Sequence, residues 1–211
     1  MRGQHSELRP ASRRLLIMGP PGAGKGTQAA AIAGRLQVPA ISTGDMFRAL
    51  QHASTSLASK VRGIMAAGGY VDDATTNAIV TDRLEAADCR NGFLLDGYPR
   101  TLDQVAYLDE FLAASGTRLD TVLSLQADEE EVVTRLVARG RQLSRSDDAA
   151  ATIRTRLAVY REQTAPLLDT YAIRGLLLPV DGMGAVDEVA ERITQALREQ
   201  PTIAPFTSST S

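Results

Sequence analysis

Residues 19–28 read GPPGAGKGTQ, and this stretch comes close to a phosphate-binding pattern. The pattern G-x-x-x-x-G-K-[ST] cradles phosphates with backbone N–H groups, and its final hydroxyl binds Mg²⁺. Lys25 fits the lysine position, but Gly26 stands where the hydroxyl belongs and Thr27 follows one residue late. The stretch therefore predicts a polyphosphate site whose metal needs another protein ligand.

The surroundings of this turn are those that the motif requires. It follows the apolar run RLLIMG and opens a helical pattern, so a helix N-terminus would face the phosphates. Further near-continuous apolar runs alternate with helical patterns, which predicts an α/β fold with a parallel sheet and helices on both faces. The predicted strands are residues 14–19, 38–42, 92–97, 120–127 and 175–181. The predicted helices are residues 25–36, 43–51, 57–67, 73–88, 101–114, 128–139, 148–172 and 185–199.

Composition narrows the class of protein. The 211 residues are 44% apolar, which suits one domain, and the net charge of −2 gives no basic field for nucleic acid. The lone Cys89 excludes an internal disulfide framework and a cysteine zinc cage. No apolar run approaches the ~20 residues that a membrane span needs. Residues 1–12 lack the apolar h-region of a secretory signal peptide, so we expect a cytoplasmic protein. We also expect flexible ends at 1–12 and 200–211.

The segment FLLDGYPRT (93–101) contributes two further candidates. Asp96 ends an apolar strand, and the carboxyl ends of strands border the ligand crevice in parallel sheets. A carboxylate there can hold Mg²⁺ directly or through water, so Asp96 is the predicted substitute for the missing hydroxyl. Arg100 precedes a helix, and its planar guanidinium is suited to clamping a phosphate through two parallel bonds.

Residues 135–157 concentrate arginine at a predicted helix–loop–helix. Arg135 and Arg139 share one face of a helix that we expect Gly140 to end. The arginines that follow are Arg141, Arg145, Arg154 and Arg156. So many cations in a net-acidic protein indicate an anion nearby, although Arg154 is expected to be a solvated surface residue.

The sequence is poor in general bases, since its only histidines are His5 and His52. Phosphoryl transfer relies on positioning and on cations more than on acid–base chemistry. A phosphate acceptor arrives already ionised and needs no base. An arginine-rich, histidine-poor site therefore favours transfer from phosphate to phosphate over transfer to an alcohol.

Four segments closely resemble the adenylate kinase family: GPPGAGKGTQ, ISTGDMFRAL (41–50), NGFLLDGYPRTLDQ (91–104) and RTRLAVYREQTAPLLDTY (154–171). The resemblance runs from about Arg14 to Leu197. It implies a kinase domain at 13–199 with a five-stranded parallel sheet of P-loop topology, an AMP-binding subdomain at 42–71 and a short lid at 140–146 without zinc. It also implies Mg²⁺-dependent transfer, ATP + AMP ⇌ 2 ADP, by a monomer.

Carried over position by position, the resemblance implies two nucleotide sites whose charged ends face each other. The ATP-binding residues would be Gly22, Ala23, Gly24, Lys25, Gly26, Thr27, Arg135, Arg139 and Gly184. The AMP-binding residues would be Thr43, Arg48, Gly69, Tyr70, Val71, Gly97, Tyr98, Pro99, Arg100, Gln104, Arg145 and Arg156. Catalysis would fall to Lys25, Arg100, Arg139, Arg145 and Arg156, with Asp96 organising Mg²⁺. Gln104 would read an adenine edge, and Arg135 would lie over the ATP adenine.

Several positions beside the AMP site depart from the family pattern. Tyr70 stands where the family has leucine or another aliphatic residue, and Gly69 stands where lysine is frequent. Asp72 replaces a common threonine or proline, and Tyr98 replaces the usual phenylalanine. These departures concern the fine tuning of the AMP pocket and leave the reaction class unchanged.

The closest alternative is a UMP/CMP kinase, which has a similarly short lid. That group has the pattern S-A-G-D at the monophosphate site and an asparagine after Pro-Arg. This chain has Thr43 and Thr101 at the differing positions and Gln104 nearby, and all three favour AMP. A GTPase-like switch would need an N-K-x-D guanine reader and the P-loop hydroxyl, and the sequence has neither. A nucleotide-binding module without catalysis is disfavoured because every expected cation is in place: Lys25, Arg48, Arg100, Arg135, Arg139, Arg145 and Arg156.

Overall fold

The computed structural model describes residues 13–51, 53–143 and 149–200, and within these ranges five parallel strands form one sheet. The strands are β1 (Arg13–Met18), β2 (Ala40–Ser42), β3 (Gly92–Asp96), β4 (Thr121–Gln126) and β5 (Leu177–Asp181), in the order β2-β3-β1-β4-β5. The predicted fold class is therefore confirmed. The extension at 1–12, the tail beyond residue 200, both histidines, Arg145 and lid residues 144–146 lie outside the described residues.

Helices connect the strands and cover both faces of the sheet. They are α1 (Lys25–Leu36), α2 (Thr43–Leu50), α3 (Ser56–Ala66), α4 (Asp73–Leu84), α5 (Leu102–Ala114), α6 (Glu129–Leu143), α7 (Ala150–Val159), α8 (Pro166–Ile173) and α9 (Val186–Glu199). Several begin at the side-chain caps that the sequence offers, since Ser42, Thr55, Asp72 and Thr101 each accept a backbone N–H from the first turn.

Two cores form because successive strand residues point to opposite faces of the sheet. Leu15 and Ile17 of β1 pack in one core with residues of α1 and α9. Leu16 and Met18 pack in the other core with residues of α4, α5 and α8. Burying each such side chain contributes roughly 1.5–3 kcal/mol, which explains why the strands read as unbroken apolar runs.

One predicted helix end is wrong, because α6 passes through Gly140 and ends at Leu143. Asp128 caps its start by accepting the N–H groups of Glu130 and Glu131. A glycine inside a helix costs only about 1 kcal/mol relative to alanine, and a firmly capped helix of 15 residues tolerates that cost. The first four residues of the predicted lid, 140–143, are therefore helical.

The predicted helix at 148–172 is interrupted by a wider turn. Helix α7 ends at Val159, a π-turn covers Tyr160–Thr164, and α8 starts at Pro166. Pro166 has no N–H to donate and its ring would clash with the carbonyl four residues earlier. The chain widens instead, so that the Ala165 N–H bonds the Tyr160 carbonyl five residues back. Such bulges occur frequently at functional sites.

The carboxyl ends of the central strands lead into the segments with the strongest sequence signals. Strand β1 runs into the glycine-rich turn, and Asp96 at the end of the neighbouring β3 lies in register with Ile17. In open parallel sheets ligands bind at this edge. No helix in the described part of the chain has the length and apolarity needed to cross a membrane.

Candidate active site

The turn between β1 and α1 is built so that only glycine fits at a central position. Gly22 has φ +87, and a Cβ placed there would lie 2.8 Å from the Val132 carbonyl oxygen and 2.9 Å from Leu136 Cγ. The turn therefore lies directly against α6. Because α1 begins at Lys25, the N-terminus of that helix follows this turn, as an anion cradle requires.

Lys25 holds its amine against the turn itself. Nζ donates to the carbonyl oxygens of Gly19 and Pro20, at 2.8 and 2.9 Å. Burial of the amine lowers the pKa of Lys25 to about 8, Asp96 acts in the opposite direction, and nearby arginines lower it further. The folded protein thus raises the free energy of the charged lysine, and an arriving anion would relieve that penalty.

Asp96 lies beside the position of the missing hydroxyl. A Cβ added to Gly26 would be 3.6 Å from Asp96 Oδ2, so the carboxylate occupies the space next to that of the usual serine or threonine side chain. The described residues contain no group of three or more His, Cys, Asp or Glu that could hold a metal ion. This single hard oxygen donor fits Mg²⁺, which keeps several waters and binds through few carboxylates plus phosphate oxygens.

A large pocket of about 770 Å³ opens above the glycine-rich turn. Among the described residues its cationic lining is Lys25, Arg48, Arg100, Arg135, Arg139 and Arg156, and its acidic lining is Asp45, Asp96 and Glu131. The lining also includes Gly22, Ala23, Gly24, Gly26, Thr27 and Gly184. Every residue predicted to bind ATP therefore lies in one pocket.

A smaller pocket adjoins the large one and is lined by Gly69, Tyr70, Val71, Tyr98, Pro99 and Gln104, among others. The two pockets share a border formed by Pro21, Lys25, Gly44, Arg48, Gly97, Arg100 and Arg156. Arginines from α2, from the turn after β3 and from α7 thus meet Lys25 at this border. Arg145 lies outside the described residues, so its predicted place here stays a prediction.

Arg100 is held at the shared border by neutral groups. Its Nε donates to the Gly97 carbonyl at 2.6 Å, and its backbone N–H donates to Gln104 Oε1 at 2.7 Å. Gly97 has φ +85, and a Cβ there would come within 2.6 Å of Thr43 Oγ1 and 2.9 Å of an Arg100 guanidinium nitrogen. The packing around Gly97 therefore leaves no room for a side chain.

Two predicted AMP contacts are turned toward the protein. The buried Thr43 donates its hydroxyl proton to the Gly97 carbonyl at 2.9 Å and does not line either pocket among the described residues. Gln104 Nε2 donates to Asp73 Oδ1 at 2.7 Å while its oxygen accepts from Arg100. The amide keeps one N–H and one lone pair for a base, and its orientation is fixed by these bonds.

The predicted adenine contacts of ATP also meet in space. Arg135 bonds Glu131 Oε1 through Nε at 2.9 Å and the Gly182 carbonyl through Nη1 at 3.3 Å. This places Arg135 against the turn that contains Gly184. Arg192 stabilises the same turn by donating to the carbonyls of Asp181 and Met183.

Sequence reasoning missed several residues that organise the site. Asp73 accepts bonds from Gln104 and Thr101, Thr164 bonds the Arg100 carbonyl, and Arg192 supports the turn beside Gly184. Asp73 and Arg192 carry no motif. Pro166 was the available signal for Thr164, because a proline inside a helical pattern marks a break.

Comparisons with known proteins agree with this geometry. The family model for adenylate kinase matches residues 17–176. An adenylate kinase of Leifsonia xyli subsp. xyli is 53% identical over 195 residues, which cover 92% of this chain and 98% of that protein. An adenylate kinase of Clavibacter michiganensis subsp. michiganensis is 56% identical over 184 residues, covering 87% and 92%.

The chain belongs to the adenylate kinase family. An adenylate kinase of Thermobifida fusca is 52% identical over 187 residues, which cover 89% of this chain and 99% of that protein. Members of this family are nucleoside monophosphate kinases that catalyse ATP + AMP ⇌ 2 ADP, and they generally use Mg²⁺ with ATP. The α/β fold and the kinase activity expected from the sequence are therefore confirmed at the level of the family.

Proposed function

We propose that this protein transfers the γ-phosphoryl group of ATP to AMP across the border that the two pockets share. The observation that carries the proposal is the composition of that border, where Lys25, Arg48, Arg100 and Arg156 line both pockets. Two nucleotides bound with their phosphates facing would both reach these cations. The uridine- and cytidine-specific alternative finds less support, because Thr43, Thr101 and Gln104 stand where the sequence pattern of that group differs.

In this proposal the glycine-rich turn and Lys25 hold the ATP phosphates, while Arg48 and Arg100 hold the AMP phosphate. An oxygen of the AMP phosphate attacks the γ-phosphorus, and the bond from that phosphorus to the ADP oxygen breaks. Arg139, Arg145 and Arg156 stabilise the charge on the transferring group. No general base is needed because the attacking phosphate is already ionised.

The same proposal gives Asp96 the task of organising Mg²⁺, chiefly through water. A bound Mg²⁺ supplies charge neutralisation to the phosphates of ATP. The location of Asp96 supports this role, because its carboxylate lies beside Gly26, the position at which most P-loops carry a hydroxyl. We also propose that the protein acts as a cytoplasmic monomer and binds no zinc.

The deciding experiment is a coupled assay with AMP, UMP, CMP and GMP as acceptors and Mg-ATP as donor. The expected result is a kcat/KM for AMP at least tenfold above that for each other acceptor. A preference for UMP or CMP would refute the assignment of AMP, and the absence of transfer to any acceptor would refute the proposed kinase activity of this chain.

A further inference from the structure

The side chain of Tyr70 lies under the guanidinium of Arg100. The Arg100 Cζ atom is 4.5 Å from the centre of the Tyr70 ring, well inside the ~6 Å range over which an aromatic face attracts a cation. Tyr70 belongs to the segment between α3 and α4, and Arg100 belongs to the turn between β3 and α5. The contact therefore joins two segments of the smaller pocket.

The hydroxyl of Tyr70 reaches the same arginine by a second route. Tyr70 Oη is 3.0 Å from Thr164 Oγ1, and Thr164 Oγ1 is 3.1 Å from the Arg100 carbonyl oxygen. The carbonyl can only accept, so the single hydroxyl proton of Thr164 points to it. Tyr70 must then donate its own proton to Thr164. The chain of bonds runs from Tyr70 through the buried Thr164 to the Arg100 backbone.

None of these groups neutralises the arginine. The aromatic ring, the Gly97 carbonyl that accepts from Nε, and the Thr164 hydroxyl are all uncharged. The arginine is thus held in place while its charge stays available to an anion. An aliphatic residue at position 70 could supply neither the aromatic face nor the hydroxyl.

We propose that Tyr70 is a positioning residue that holds the Arg100 guanidinium ready for the phosphate of the acceptor nucleotide. This inference rests on the proposed function, because it takes the acceptor phosphate as the ligand of Arg100. Its specific content is that Tyr70 acts through Arg100 on the phosphate and leaves the recognition of the base unchanged. A tyrosine that merely filled space beside the base would affect adenosine and AMP equally.

The test compares Tyr70→Leu and Tyr70→Phe with the unmodified chain. Tyr70→Leu is expected to raise KM for AMP about fivefold to twentyfold, as the loss of a partly desolvated cation–π contact implies. Its KM for ATP and its dissociation constant for adenosine, measured by calorimetry, should change less than twofold. Tyr70→Phe keeps the ring and should raise KM for AMP no more than threefold. An unchanged KM for AMP in Tyr70→Leu, or an equal loss of adenosine affinity, would overturn the proposal.

A double-mutant cycle separates action through Arg100 from direct action. AMP affinity is measured by calorimetry for Tyr70→Leu, Arg100→Gln and the double variant. The structure predicts that Tyr70→Leu changes AMP affinity less than twofold once Arg100 is replaced. Equal losses in both backgrounds would show that Tyr70 acts independently of the arginine.

The chain supplies a matched control in Tyr107, whose hydroxyl is also 3.0 Å from a threonine hydroxyl, that of Thr81. Tyr107→Leu removes an equivalent tyrosine–threonine hydroxyl bond at a residue that lines neither pocket. It should leave KM and the dissociation constant for each nucleotide within twofold of the unmodified values. Thermal unfolding checks each variant, and Tyr70→Met replaces Tyr70→Leu if the latter does not fold. Failure of the unmodified chain to phosphorylate AMP would refute the proposed function. Normal AMP kinetics in a folded Tyr70→Leu or Tyr70→Met variant would refute only this inference.

Discussion

Arg135 in the large pocket and Arg100 at the border with the smaller pocket are held by different chemistry. In the large pocket Arg135 pairs with the carboxylate of Glu131 on the same helix. At the border of the two pockets Arg48 pairs with Asp45. In the smaller pocket no carboxylate appears among the described lining residues, and Arg100 is held by carbonyls and an aromatic ring. Carboxylates orient an arginine and also offset its charge, whereas neutral partners orient it alone.

This difference predicts different roles for the two arginines. Arg100 has neutral partners and keeps its full charge, which suits an acceptor phosphate that carries little charge and brings no metal. The large pocket mixes charges of both signs, which suits a polyphosphate that arrives with a cation of its own. We therefore expect the loss of Arg100 to matter more than the loss of Arg135.

Arg100→Ala should cause the largest effect, a fall of about 10³-fold in kcat/KM for AMP, because it removes a fully charged guanidinium that neutral partners hold at the shared border. Steady-state kinetics with varied AMP measures it. The matched control is Arg174→Ala, since Arg174 also lies over a tyrosine ring, that of Tyr171, and pairs with Asp109. A loss of less than tenfold for Arg100→Ala would mean that the smaller pocket does not depend on this residue.

Asp96→Asn should lower kcat about 10²-fold and raise the Mg²⁺ concentration needed for half-maximal rate. The amide keeps the size of the side chain but removes the negative charge beside Gly26. A titration of Mg²⁺ at saturating nucleotides measures both effects, with Asp45→Asn in the same pocket as the control. An unaltered Mg²⁺ dependence would remove Asp96 from the metal site.

The pH dependence of kcat/KM for ATP should follow the protonation of Lys25. Its pKa is lowered to about 8, chiefly by burial, so the free protein loses this charge as pH rises through 8. We expect kcat/KM for ATP to fall by about tenfold per pH unit above that value. Lys25→Arg stays charged there and should show no such descent, although its activity is lower. A flat profile for the unmodified chain between pH 8 and 10 would contradict the assignment.

The same shift of the Lys25 pKa makes a prediction about stability. Between pH 8 and the ordinary lysine pKa of 10.5 the unfolded chain binds the proton that the folded chain has lost. Lys25 therefore contributes a free energy of unfolding that rises with pH in this window. At pH 7 the folded chain buries a charged lysine, and at pH 10.5 it does not. In thermal unfolding of the ligand-free protein, Lys25→Met should therefore increase stability more at pH 7 than at pH 10.5. An equal effect at both pH values would show that Lys25 is not strained by burial.

Arg135→Ala should produce the smallest effect, a rise of about fivefold in KM for ATP with KM for AMP unchanged. Glu131 already offsets the charge of Arg135. The variant would therefore lose mainly the packing contact expected between the guanidinium and the adenine of ATP. Steady-state kinetics with varied ATP measures it. If Arg135→Ala proved as damaging as Arg100→Ala, the proposed contrast between the two pockets would fail.

Much of the fold followed from the sequence because local patterns determine it. Strand β1 was expected at 14–19 and lies at Arg13–Met18, and α1 begins and ends where the pattern places it. Apolar runs of this kind can be buried only when both faces of the sheet are covered. The error at Gly140 arose because a helix capped by Asp128 outweighs the modest cost of one glycine.

The sequence predicts the site as a set of positions, but it does not predict the hydrogen bonds that hold those residues in place. The glycine-rich turn and Arg100 follow from motifs whose chemistry is local. Asp73 and Thr164 act through partners about 30 and 64 residues distant in the chain. Such contacts depend on how segments pack, and no spacing rule within one sequence predicts them.

The π-turn at Tyr160–Thr164 changes the direction in which the side chains that follow it point around the helix axis. One extra residue advances everything that follows by about 100° around the helix axis. This offset lets α7 direct Arg156 to the border that the two pockets share, while α8 turns Leu167 and Tyr171 into the core behind the sheet. Deleting one residue from the turn would restore a regular helix. Either Arg156 would then turn away from the pockets, or Leu167 and Tyr171 would turn out of the core.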